Sequence, residues 1–429
     1  MIPRTLFYLY DLRRNLHLKP SELQRLQWKR FRALVKYAYE NVPFYHRKFR
    51  SAGVKPDDVK GFDDLWKIPA ITKFEIQACD LKDMVAGNVD VGSLVKRSTS
   101  GSTGVPLNTL VDGRVEDFEA AVRMRALFEN GLRVRDKMAV VADPRSFPKK
   151  RSVFQRFGVM KRKHISIFDY AEKQMMLLRE FKPDVVKGYS SSLFILAEEF
   201  NDAAKEIEPR LIFTSAELLD ASSRKLVSSA FGAELFDFYA CSEFSLLAWE
   251  CREHCGYHVN ADSVLMEFVD DNGGAVAFGE RGNVVCTSLF NNVMPIIRYK
   301  LDDVAIPIDD KCSCGRTLPL LRLIEGRADD FLVATDGRLI SPTVFFPYPF
   351  DNMDGIKQFR MVQERKDKLR IELVPNEMLS NDSLFFERAE HRIKQFFGEN
   401  MNVEFQIVRE IKRDPSGKLR KVILNIPTA

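Results

Sequence analysis

Long apolar runs are missing from this chain. No window approaches the roughly 18 residues of a membrane-spanning helix, so no stable membrane insertion is expected. The first stretch, Leu6-Phe7-Tyr8-Leu9-Tyr10, is apolar but soon meets Asp11, Arg13 and Arg14. It is too short and too charged for a secretory signal and reads as a strand or short helix packed on the body. Charge of one sign is scarce as well: 65 Lys and Arg against 60 Asp and Glu leave a net +5. Spread over 429 residues, that is too dilute for a nucleic-acid-binding face. Cysteines number only seven, most of them crowded between Cys241 and Cys314. An odd count speaks against a disulfide framework and for a reducing, cytoplasmic setting. Repeats and low-complexity tracts are absent. What is there is ordinary for a globular protein, 45% apolar and 29% charged, on a chain long enough for at least two domains.

Pro20-Ser21-Glu22-Leu23-Gln24 opens the first strong helix, with Ser21 and Gln24 spaced as a capping box and Asn41 and Pro43 marking the end. From about residue 115 helix and strand patterns alternate. Helices are expected over 115–130, 170–181, 191–200 and 221–231, and strands over 137–142, 184–187, 210–213 and 234–239. That order predicts a largely parallel sheet flanked by helices. After Cys251, short strands and Gly/Asn turns such as Asp271-Asn272-Gly273-Gly274 predict an antiparallel subdomain. The last hundred residues form a small α+β unit, with alternation at Leu369, Ile371 and Leu373, a helix over 382–397, and alternation again at Val403, Phe405 and Ile407. The expected division is a large domain over 1–326 and a small one over 327–429.

Six short motifs carry chemistry. Ser98-Thr99-Ser100-Gly101-Ser102-Thr103-Gly104-Val105-Pro106 offers hydroxyls and permissive glycines whose backbone N–H groups suit phosphate oxygens, although the Walker spacing is absent. By composition alone a surface linker is the favoured reading. Asp237-Phe238-Tyr239-Ala240-Cys241-Ser242-Glu243 ends a strand with an aromatic that can stack on a base and a carboxylate that can hold Mg²⁺. Thr214-Ser215-Ala216-Glu217 also follows a strand, where open α/β sheets take ligands. Arg298-Tyr299-Lys300-Leu301-Asp302-Asp303 with Gly326-Arg327-Ala328-Asp329-Asp330, and the terminal Ser416-Gly417-Lys418, complete the set. Each alone reads as a solvated turn or tail.

Together, in this order, they resemble the motifs of the adenylate-forming (acyl-, aryl- and luciferase-type) enzymes. The closest resemblance within them is to the phenylacetate–CoA ligase group and its relatives from capsular polysaccharide synthesis. The likeness runs from about residue 30 to the end. It implies an α/β fold, with a large N-terminal domain of mixed, largely parallel sheets plus the antiparallel subdomain, and a small mobile C-terminal α+β domain. Further, it implies ATP-dependent activation of a carboxylic acid, an aryl acid by preference, to acyl-AMP and transfer to coenzyme A. Thr99, Ser100, Gly101, Ser102, Thr103 and Gly104 would hold the phosphates, and Ser215, Ala216 and Glu217 the adenine. Tyr239 would stack on the adenine beside Ser242. Glu243 would hold Mg²⁺, Asp303 and Arg327 would meet the ribose or phosphate, Asp329 would be the hinge, and Lys418 the catalytic cation. Ala240 departs from the family's usual Gly. An adenylyltransferase that leaves AMP on its product, or a non-catalytic binding protein on the same fold, are the competing readings. A homodimer is compatible with either.

One further cluster, Cys251, His258, Cys312 and Cys314, has the residue types and paired spacing of a structural Zn²⁺ site, with His254 and Cys255 as alternates. Free thiols on a turn are the plain alternative.

Overall fold

The computed structural model describes residues 2–98, 107–148, 155, 157–216, 219, 221–325, 332–340, 356–375, 383–411 and 422–426. The N-terminal region is helical: α1 (Ile2–Asn15), α2 (Pro20–Asn41), α3 (Pro43–Ser51) and α4 (Lys73–Ala78). A two-stranded ribbon, β1 (Val95–Ser98) and β2 (Asn108–Val111), leads into α5 (Gly113–Glu129). Then come β3 (Met138–Ala142), β4 (Arg162–Ser166), α6 (Ala171–Phe181), β5 (Val185–Tyr189), α7 (Ser190–Glu199), α8 (Asn201–Lys205), β6 (Leu211–Ser215), α9 (Ala221–Phe231) and β7 (Glu234–Cys241). The strands β8 (Ser245–Glu250), β9 (Tyr257–Val259), β10 (Val264–Val269), β11 (Gly282–Ser288), β12 (Tyr299–Ile308) and β13 (Leu320–Glu325) follow without intervening α-helices.

All the strands from β3 to β13 lie in one sheet of 11, in the order β10-β11-β12-β13-β9-β8-β7-β6-β5-β3-β4. From β4 to β7 every pairing is parallel; β7 then pairs antiparallel with β8. The expected antiparallel part is present from β8 to β13, in the same sheet as the parallel half, because β7 carries both kinds of ladder. Strands buried on both faces explain the near-continuous apolar sequence of the parallel half. One face, with Ala139, Val141, Val186, Ile212 and Leu235, packs on Leu178, Leu196 and Phe231 of α6, α7 and α9. The other, with Met138, Val185, Phe213 and Phe236, packs on Phe118, Ala121 and Val122 of α5.

Two local readings are corrected. α2 is capped by Lys19, not Ser21: the Lys19 N–H donates to Glu22 Oε2 at 3.0 Å, and Pro20 occupies the first turn, where no N–H is needed. The N-terminal stretch is a full helix of 14 residues that buries Leu9 and Leu12 and leaves Leu6, Phe7 and Tyr10 exposed. It is tied to α5, where Arg4 Nε and Thr5 Oγ1 donate to Asp117 at 2.7 and 3.1 Å.

The C-terminal part comprises β14 (Leu332–Val333), β15 (Leu339–Ile340), β16 (Ile356–Arg365), β17 (Lys368–Pro375), α10 (Ser383–Phe397), β18 (Asn402–Ile407) and β19 (Val422–Leu424). Four of its strands form a sheet in the order β18-β17-β16-β19. Phe385, Ala389, Ile393 and Phe397 of α10 cover it, packing on Met361, Leu369, Ile371 and Leu373. That is the α+β unit with its own core. The expected division at 326/327 falls outside the described residues.

Candidate functional site

The carboxyl ends of β6 and β7 and the start of β12 carry the expected nucleotide residues. Ser215 ends β6 and lies opposite Phe238 of β7 in the parallel ladder. Ala216, just beyond, has φ +78°, a left-handed conformation that costs a non-glycine residue about 1–3 kcal/mol. The strained residue lies at the turn expected to meet the adenine.

Tyr239, near the end of β7, donates its O–H to Asp303 Oδ2 at 2.6 Å, across 64 residues of sequence. Burial first, and then the Asp303 charge, push the Tyr239 phenol well above its usual range, so it remains a donor. Ser242 is exposed in the β7–β8 turn, and Glu243 beside it accepts from the Tyr299 O–H at 3.3 Å. Tyr239, Ser242, Glu243 and Asp303, drawn from two motifs, are thus brought together. Thr99, Ser100, Gly101, Ser102, Thr103, Gly104, Glu217, Arg327, Asp329 and Lys418 lie outside the described residues.

Arg298 of the same motif has a structural position. Its guanidinium is buried, paired with Glu267 at 2.9 Å and donating to the Ile68 carbonyl. Ile71 N donates to the Arg298 carbonyl at 2.8 Å, so this arginine fastens the segment before α4 to the rim of β12.

Sequence reasoning quoted Asp237 without assigning it a role. It is buried on β7, accepting from Thr214 Oγ1 at 2.6 Å and Tyr257 O–H at 2.8 Å. Its backbone N–H donates to Glu250, whose two carboxylate oxygens also accept from Arg224 Nη2 at 2.7 Å. Burial raises the Asp237 carboxyl to about 6, more than its two hydroxyl donors lower it. The network fixes β6, β7 and β8 together two residues before Tyr239. A carboxylate inside an otherwise apolar strand was the available signal.

The Cys/His cluster also assembles. One donor atom from each of Cys251, His258, Cys312 and Cys314 lies within 4.8 Å of all the others. Cys251 and Cys312 are 3.5 Å apart, and Cys314 Sγ is 3.4 Å from His258 Nε2. The topology explains the meeting: His258 of β9 lies opposite Leu320 of β13, so the turn before β13 is laid beside the end of β8. Three soft sulfurs and one imidazole fit tetrahedral zinc. His258 Nδ1 is buried with no partner, and burial, helped by Arg316, lowers the imidazole to about 4, which keeps it neutral as a ligand must be. Of the alternates, exposed Cys255 touches Cys312 at 3.3 Å, whereas His254 turns to Glu250 at 3.6 Å. Glu243 precedes β8 and Cys251 follows it, which places the cluster about 20 Å along the strand from the nucleotide residues.

The phenylacetate–coenzyme A ligase of Escherichia coli is 31% identical over 328 residues, covering 73% of each chain. The chain belongs to the phenylacetate–CoA ligase family. A second family member, from Thermus thermophilus, is 28% identical over 95% of this chain and 97% of its own. The CapK C-terminal domain family matches residues 332–425. Among solved structures, 2-hydroxyisobutyryl-CoA ligase, in complex with 2-HIB-AMP and CoA, superposes with a TM-score of 0.70. It covers 96% of this chain and 92% of that one at 23% identity, which supports the same fold. Among the described residues, no helix is long and apolar enough to cross a membrane.

Proposed function

We propose that this member of the phenylacetate–CoA ligase family is an AMP-forming acid–CoA ligase in which a carboxylate is activated with ATP and the acyl group passes to the thiol of coenzyme A. The observation that carries the assignment of residues is the Tyr239–Asp303 hydrogen bond of 2.6 Å, which joins two sequence-distant motifs at the carboxyl ends of β6 and β7.

In the first step the substrate carboxylate oxygen forms a bond to the α-phosphorus, and the bond to pyrophosphate breaks. Such a displacement rests on positioning and charge neutralisation. Thr99 to Gly104 cradle the departing phosphates, Ser215 and Ala216 with Glu217 border the adenine, and Tyr239 stacks on it. Asp303 accepts from the ribose hydroxyls, and Arg327 supports the ribose or phosphate. Glu243 is the residue that would hold Mg²⁺, whose contribution when bound is neutralisation of phosphate charge. Lys418 balances the charge developing between carboxylate and α-phosphate. In the second step the C-terminal domain, 327–429, turns about Asp329, the thiol sulfur bonds to the acyl carbon, and AMP leaves with the electron pair. An aryl acid is the proposed substrate class.

The Cys251, His258, Cys312 and Cys314 set is assigned to a structural zinc ion. Its distance from the nucleotide residues supports a stabilising role.

The test is carboxylate-dependent ATP–pyrophosphate exchange across aryl, fatty and amino acids, with and without CoA. Exchange without CoA, and CoA-thioester only with it, is expected. A stable AMP adduct on the product would indicate an adenylyltransferase instead. Lys418→Ala is expected to lose about 10²–10³ in adenylation rate. Keeping adenylation while losing thioester formation from preformed acyl-AMP would remove Lys418 from its role.

A further inference from the structure

The face of the sheet that packs on α5 carries a group of cations that the residues above do not use. In the ladder, Arg162 of β4, Met138 of β3 and Val185 of β5 lie side by side, and so do His164, Val140 and Lys187. Paired residues share a face, so Arg162 and Lys187 emerge on the side of Phe213, Phe236 and α5. There Lys187 Nζ stands over the Phe238 ring, 5.7 Å from its centre. From α5, Arg123 reaches in and donates to Ser245 Oγ at 2.5 Å.

The acids nearby do not match this charge. Glu119 is shared by Arg97 at 2.5 Å and Arg123 at 3.7 Å, and Glu116 lies 3.7 Å from Arg97. Among the described residues, no carboxylate lies within ion-pair distance of Lys187 or Arg162, and Arg162 Nε is buried without a hydrogen-bond partner. Burial, then Arg123 and Arg162, lower the Lys187 ammonium to about 8. Partly buried cations left without a counter-ion are costly unless a ligand supplies one.

Position says which ligand. Tyr189 lies opposite Ser215, and Ser215 opposite Phe238, on the same face as Lys187. Lys187 is two residues, about 7 Å, back from Tyr189 along β5. The cluster thus sits below the strand ends that carry the nucleotide residues, and beside the β7–β8 turn that carries Glu243. A nucleotide seated outside the strand ends does not extend to this level. An acid held against the α-phosphate of such a nucleotide would extend inward from the strand ends, towards this level.

We propose that Lys187, Arg162 and Arg123 form a specificity site for a second anionic group on the acid, so that the preferred substrate is a dicarboxylate or an acid bearing a comparable anion distal to the carboxyl that is activated. This rests on the acid-activating reading above and narrows its substrate class. A charge-assisted pair in such a site discriminates strongly, because an acid without the second anion leaves the cations unpaired.

The experiment is ATP–pyrophosphate exchange with matched pairs: phenylacetate against 4-carboxyphenylacetate, and butyrate against glutarate. In the wild-type protein the diacid of at least one pair is expected to have a kcat/KM higher by about tenfold or more. Lys187→Met and Arg162→Gln are expected to collapse that ratio towards one, mainly through KM for the diacid, and Lys187→Arg to preserve it. Should the methionine variant not fold, the wild-type ratio and the Lys187→Arg and Arg162→Gln variants still decide. Preference for the neutral member of both pairs overturns the proposal and leaves acid activation standing. So does an equal rise in KM for ATP with every acid, which would assign these cations to the nucleotide. Absence of exchange with any acid overturns the acid-activating reading itself, and this proposal with it.

Discussion

Asp237 shows what a single buried carboxyl does to a protein of this kind. Its pKa is about 6 in the fold, with burial the main cause, against roughly 4 in an unfolded chain. The folded state therefore holds the proton more tightly than the unfolded state. The resulting stabilisation is fully present below about pH 4 and is lost as pH rises through about 6, and it amounts to about 3 kcal/mol. Asp237→Asn is accordingly expected to remove this contribution, so that between pH 4 and 7 its stability changes relative to wild type by about 3 kcal/mol, read from urea midpoints. Parallel wild-type and variant profiles would contradict it. The motif residues around Asp237 were legible in the sequence because each motif is a short continuous segment. The partners of Asp237 were not, since Thr214 and Tyr257 lie 23 and 20 residues away and nothing local announces their hydroxyls.

At the scale of elements, α5 is the instructive case. Its apolar spacing predicted burial of Phe118, Ala121, Val122 and Leu127, and all four are buried. The same helix also buries Arg125 completely, bound to both oxygens of Asp262 at 2.7 and 2.8 Å, to Asn260 at 2.7 Å and to the Leu12 carbonyl at 2.7 Å. An arginine in a helical stripe reads as solvent-facing until its partner is known, and here the partner is 137 residues away. This one side chain holds α1, α5 and the segment before β10. Arg125→Ala, which strands a buried carboxylate, is expected to cost about 3–5 kcal/mol. Arg125→Met with Asp262→Leu should cost clearly less than the single change. Denaturant unfolding of both variants checks this, and a double variant as unstable as the sum of two singles would refute it. The extent of α1 was hard to read because its apolar residues point both ways: Leu9 and Leu12 inward, Leu6, Phe7 and Tyr10 outward. A helix without a clean polar face gives a weak periodic signal.

For the whole molecule, alternating helix and strand patterns were enough to read the parallel half, because each βα unit declares itself locally. The placing of β10 to β13 in that sheet was not readable, since it rests on the pairing of β9 with β13, between residues more than sixty apart in sequence. The zinc assignment belongs at this scale too, as its four donors come from both sides of that pairing. One equivalent of zinc per chain is expected by elemental analysis. Stripping it with a strong chelator should lower the melting temperature by at least about 5 °C, as should Cys312→Ser. Chelation that abolished activity at an unchanged melting temperature would point to a catalytic ion instead.

The pairing of β9 with Leu320 and Leu321 also sets an order of events on the ribosome. Chains emerge at about 5–20 residues per second, so β9 waits on the order of 3–12 seconds for the strand that covers its outer side. Until then the nascent sheet ends in bare backbone donors and acceptors, the kind of edge that invites a foreign strand. Chaperone capture during translation is most useful in that interval, and the arrival of β13 closes it.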